Sequence, residues 1–144
     1  MHLLDANALI ALGWPAHEHH ERMHDWFARH ARRGWGTCAM TQAAFMRIVS
    51  QPAFAGRALA MDEVAEVLRR NLAHPAHRLV SLDFSFDEVL RQCSGGIVGH
   101  RQVGDAYLLT AAQRAGMKLL TFDNGVRQLL ATDEERARHI AAPA

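Results

Sequence analysis

Cysteine is scarce in this sequence, long apolar runs are missing, and one long interval holds no acid. The two cysteines, Cys38 and Cys93, are well separated and form no CxxC, which argues against a disulfide scaffold and for a reduced, cytoplasmic protein. No apolar run approaches bilayer-spanning length, so no membrane partner is expected. The start, Met-His-Leu-Leu-Asp, lacks a basic region followed by an apolar segment, and no signal peptide is expected. Neither internal repeats nor low-complexity tracts are visible. Between Asp25 and Asp62 there is no acidic residue, whereas Arg29, Arg32, Arg33, Arg47 and Arg57 all fall there. That makes a local basic surface within a chain of net charge +1. Arginine binds phosphate well, although such runs also serve as solvated faces.

What is present suffices for a core: 144 residues, 49% of them hydrophobic, read as a single domain over 1–144. The organising stretch is 99–125, GHRQVGDAYLLTAAQRAGMKLLTFDNG. Good helix formers fill 106–114, and Gly116 stands where a left-handed helix stop is expected. The apolar run 117–122 suits a buried strand, which Asp-Asn-Gly then ends. About ten helical residues cover ~15 Å. Five or six strand residues cover roughly 18 Å. A chain that descends the helix and returns along an adjacent strand therefore brings Asp123 beside Asp105. Simpler roles compete: Asp105 as a helix cap, Asp123 as an Asx turn before Gly125. Against the first, Asp105 extends the apolar stripe of Leu108, Leu109 and Ala112, and an inward carboxylate needs a partner or a metal.

Taken in order, 2–4 reads as a strand ended by Asp5, with a short helix over 6–12. Asp5 thus sits at a strand's C-terminal end, where open parallel sheets collect ligands. Asn7 is placed to orient Asp5 or to bond nearby backbone. A long helix is expected over 15–33, beginning at Pro15, with Met23, Trp26 and Phe27 inward. It contains His20-Glu21-Arg22-Met23-His24, which fits the H-E-x-x-H zinc-peptidase pattern. Polar flanks, no third ligand at a familiar spacing and ten histidines in the chain argue for coincidence, and no zinc is expected. A second strand is expected over 34–38. Thr41 is expected to cap a helix over 42–50, with Arg47 outward, followed by a loop over 51–57. Further helices are expected over 61–74, 86–93 and 126–130, a strand over 78–82, and an edge strand near 139–141. Alternating strands and helices predict an α/β/α sandwich around a mainly parallel sheet of about four to five strands.

Three stretches carry a family resemblance: LLDANALIALGWPAHEHH at the start, TQAAFMRIVSQP in the middle and 99–125. With strand-Asp, helix-Asp and strand-Asp in this order, the chain resembles the PIN-domain family, specifically VapC-type toxins of toxin–antitoxin pairs. The similarity covers most of the chain and fades after about Leu130. It implies a PIN-like fold and a Mg²⁺-dependent endoribonuclease, with Mn²⁺ as an alternative. Asp5, Asp105 and Asp123 would be metal ligands, and Asn7 and Thr121 supporting polar residues. It also implies an RNA substrate (tRNA or rRNA), a VapB-type antitoxin and a homodimer. One departure stands out. The family's second acid, a glutamate opening the middle helix, is here Gln42, whose amide oxygen can ligate or orient water but brings no charge.

The chemistry of the residues agrees with that expectation. Hydrolysing a phosphodiester needs negative charge neutralised and a water activated, both of which a carboxylate-held Mg²⁺ supplies. Crowded carboxylates without a cation should have raised pKa values. Arg101, His100 and Arg47 are candidate RNA contacts, which would give affinity without sequence information. Two other classes compete: a catalytically silent PIN domain that binds RNA or protein, motivated by Gln42, and a zinc peptidase on the HERMH segment.

Overall fold

The computed structural model describes residues 1–144. Five strands make one sheet: β1 (His2–Leu4), β2 (Trp35–Cys38), β3 (His77–Val80), β4 (Lys118–Leu120) and β5 (Ile140–Ala141). Their order is β3-β2-β1-β4-β5 and every pairing is parallel. The helices are α1 (Ala6–Gly13), α2 (His20–His30), α3 (Ala39–Val49), α4 (Pro52–Ala55), α5 (Met61–Leu72), α6 (Phe86–Gln92), α7 (Val103–Arg114) and α8 (Asp133–His139). No helix is long and apolar enough to cross a membrane.

Alternation along the short central strands assigns the helices to layers. Leu3 and Leu119 enter one core with α6 and α7, whereas Leu4 and Leu120 enter the other with α1, α2, α3 and α5. The result is an α/β/α sandwich. The chain runs β1, β2, β3 to one side and then crosses to β4 and β5 on the other, so the order reverses between β1 and β4. In parallel sheets, ligands bind at such a switch point, outside the carboxyl ends of the strands.

Several boundaries differ from the sequence reading. The helix expected from Pro15 begins at His20; 15–19 form turns, and the helix tightens to a 3₁₀ turn over Ala31–Arg33. Thr41 does not precede α3 but sits in its first turn, where its hydroxyl accepts the Cys38 N–H at 3.1 Å. It still caps, from inside. The segment expected to be loop contains α4, with Pro52 at its first position and Gly56 ending it in left-handed backbone. Gly116 has φ of 67°, as a helix stop requires.

Candidate functional site

The register places the site. Leu4 pairs with Leu120, and the Asp5 N–H continues the ladder to the Leu120 carbonyl at 3.0 Å. Asp5 and Thr121 are therefore neighbours just past the strand ends. Both stay extended in sense with Leu3 and Leu119, so their side chains point to the α7 face. The Thr121 hydroxyl donates to Asp5 Oδ2 at 2.7 Å. Asn7 Nδ2 donates to the same oxygen at 3.1 Å, and the Ala6 N–H donates to Oδ1 at 2.6 Å. Asn7 Oδ1 in turn accepts the Phe122 N–H at 3.2 Å, tying the starts of α1 and of the 121–123 segment together. Asp5 is 8% exposed. Burial raises its pKa despite the Thr121 and Ala6 donors, and the Asp123 charge raises it further.

Asp123 follows two residues after Thr121 and is exposed. Its Oδ1 accepts the Gly125 N–H at 2.7 Å, the Asx turn expected of it, so that role and a place beside Asp5 coexist. Asp105 is not a helix cap. Gln102 holds that position, and Asp105 lies in the first turn of α7, facing inward and half-buried. Its pKa is pushed up to about 6 by burial, then by the charges of Asp5 and Asp123. No protein group donates a hydrogen bond to its carboxylate. The helix-and-strand return thus brings the three acids to one edge. No group of three or more His, Cys, Asp or Glu is drawn close enough to hold a metal together. What joins the three acids is charge: Asp123 opposes the ionisation of Asp5, and both oppose that of Asp105.

Of the remaining candidates, none bonds an acid. Gln42, in α3 on the opposite face, donates from Nε2 to Thr37 Oγ1 at 2.9 Å, and that hydroxyl is 2.9 Å from His77 Nε2. It contacts no carboxylate. Arg47 is exposed on α3, and Arg101 is exposed in the 3₁₀ turn His100–Gln102 that leads into α7. The HERMH histidines have a structural role. His20 Nδ1 is 2.7 Å from the Ala11 carbonyl and His24 Nε2 is 3.1 Å from that of Leu12. They satisfy carbonyls at the end of α1 that lack helical partners. Sequence reasoning missed Phe122 and His19. The Phe122 ring, alternating to the α2 face, carries the His19 ring stacked on it at 4.4 Å between centroids. The only signal was the His-rich run before α2.

A profile of the PIN domain matches residues 2–131. The sequence is 44% identical over 128 residues to ribonuclease VapC38 of Mycobacterium tuberculosis, covering 88% of this chain and 87% of that one. Ribonuclease VapC29 of the same species is 38% identical, covering 88% and 89%. Ribonuclease VapC44 is 32% identical, covering 96% of each. The fold is similar to a chain in a solved structure of FitAB bound to an IR36 DNA fragment, with a TM-score of 0.65, 18% identity, and coverage of 99% of this chain and 95% of that one.

Proposed function

This chain belongs to the PIN-domain family, within it to the VapC type, and on that premise we propose that it is a metal-dependent endoribonuclease, the toxin of a toxin–antitoxin pair. The observation that carries the reading is that Asp5, Asp105 and Asp123 lie near enough at the switch point of the sheet to oppose one another's ionisation, the Asp105 pKa being pushed up to about 6 by burial and then by the other two charges. Such a site asks for a cation. The donors are all oxygens, which suits Mg²⁺, or Mn²⁺ in its place, rather than zinc. Asp5, Asp105 and Asp123 would draw together to hold it, since they are not close enough to do so as they stand, and when bound it would neutralise phosphate charge and lower the pKa of a water.

The protein's own groups prepare the site. Thr121 and Asn7 fix Asp5 Oδ2, so one oxygen direction is set before any ligand arrives. Asp105, in the first turn of α7, should respond strongly to an incoming cation, because burial and then the charges of Asp5 and Asp123 oppose its ionisation. Arg101 and Arg47 stand free of ion pairs on the surface, available to phosphates. We assign the substrate to the tRNA or rRNA class, the partner to a VapB-type antitoxin, the assembly to a homodimer, and the location to the cytoplasm. Two buried, unpaired cysteines suit that compartment.

Cleavage of total RNA with Mg²⁺ and with EDTA, by wild type and Asp105→Asn, tests the reading. Cleavage by wild type only, and only with the metal, is expected; undiminished cleavage by the variant refutes it. A second reading, an RNA- or protein-binding module without cleavage, is favoured by Gln42, which is neutral and committed to Thr37. Tight RNA binding with no cleavage in Mg²⁺ or Mn²⁺ would select it.

A further inference from the structure

The ten histidines fall into groups with different surroundings. His20 and His24 cap α1. His2 and His30 pack with Trp26 below the sheet, and His74 and His77 pack with Trp35. His19 neither caps a helix nor packs on a tryptophan; the His17 ring lies tilted 5.7 Å away and the Glu18 carboxylate 3.9 Å from its Nε2. It lies in the turn before α2, and its ring stacks on Phe122 with 20° between planes while 31% of its side chain stays exposed. Phe122 separates Thr121, which holds Asp5, from Asp123, and its N–H is pinned by Asn7. The Arg22 guanidinium also lies over the Phe122 ring, 5.3 Å from its centroid. A flat, partly open aromatic stack is thus attached to the same backbone as the acids. It emerges on the opposite face of that edge from Asp105.

We propose that the exposed part of the His19 ring, backed by Phe122, is a stacking platform for a nucleobase of the RNA bound at the carboxylate edge. The inference rests on the ribonuclease reading and adds a contact to a base of the strand that crosses this edge. Unstacked bases of single-stranded RNA are held by aromatic planes, imidazole among them, and this tolerates any base because each offers a π-face. A platform across the edge from Asp105 would add a contact to a base, where phosphate contacts position the strand without touching its bases. His19 is then a substrate-binding residue, and Phe122 positions it.

The test is binding, which needs no cleavage. Fluorescence anisotropy in EDTA at low salt would compare a labelled short oligoadenylate with its abasic ribose-phosphate analogue, against wild type, His19→Ala, His19→Phe and His19→Gln. Wild type should prefer the base-bearing strand by roughly 10-fold, the preference expected of one stacked base. His19→Ala and His19→Gln should erase it, and His19→Phe, which keeps the plane without the nitrogens, should restore it. All four should bind the abasic strand equally and melt together within a few degrees. A preference that survives in His19→Ala, restoration by Gln but not Phe, or no preference in wild type overturns the platform. Base-dependent binding by a wild type that cleaves nothing with Mg²⁺ would leave the platform standing and remove the nuclease reading instead.

Discussion

Asp105→Asn should make the metal-free protein more stable while abolishing its activity. The folded protein holds the Asp105 proton more tightly than the unfolded chain does, about 6 against 3.8. Stability from this group is therefore present at low pH and is lost as pH rises through about 6. At ~1.4 kcal/mol per tenfold, the whole difference corresponds to at most about 3 kcal/mol. Asp105 is only half-buried, and solvent screening brings this to about 1–1.5 kcal/mol. Removing the charge should recover that amount at pH 7.5, a rise in Tm of about 3–6 °C for a chain of this size. At pH 5 the native carboxyl is already mostly protonated, so the gain should fall to roughly half. Calorimetry of both proteins in EDTA at the two pH values measures this. Adding Mn²⁺ should then raise the Tm of wild type and leave that of the variant unmoved, reversing their order at sufficient metal. A variant less stable than wild type at pH 7.5, or a gain independent of pH, would refute the argument that the ionised Asp105 carboxylate, penalised by burial and then by the charges of Asp5 and Asp123, costs the folded protein stability.

Three other outcomes follow from the same contacts. Thr121→Val removes the 2.7 Å donor to buried Asp5 and should lower stability by about 1–3 kcal/mol in urea titration, with a larger loss of RNA cleavage than Thr121→Ser shows. His20→Ala and His24→Ala should each destabilise by about 1 kcal/mol, because carbonyls of α1 lose their donors, while cleavage persists; elemental analysis of the wild type should find no stoichiometric zinc. Gln42→Glu adds a charge where the family carries one, and calorimetric titration should show Mn²⁺ bound roughly 3- to 10-fold more tightly; unchanged affinity would mean that this side chain stays with Thr37 and never reaches the cation.

The acids were legible because their positions follow from local rules. Strand length, helix length and the stop at Gly116 return Asp123 to Asp105, and those features need only short-range periodicity. Strands β1 and β4 were legible for the same reason. The start of α2 was not. Pro15 reads as a helix opening, but residues 15–19 turn instead, and His19 there packs on Phe122, more than a hundred residues along the chain. Contacts of that kind leave no periodic signal. The HERMH segment fails for a related reason, since its histidines serve the end of a different helix. Gln42 was legible as a missing charge, but its tie to Thr37, and through it to His77, depends on the pairing of β2 with β3.

The alternation that makes β4 also divides labour at its end. Thr121 and Asp123 turn to the α7 face, where Asp105 waits, and Phe122 between them turns to the α2 face. A one-residue slip of β4 would exchange these faces, putting the aromatic ring against Asp105 and the carboxylate against Arg22. The register is fixed by Leu119 and Leu120, each buried in a different core, so the hydrophobic layers that hold the sheet together also decide which side chains meet the acids. Substitutions that loosen those two leucines should therefore damage cleavage before they unfold the protein, because the site needs the register and the fold needs only burial.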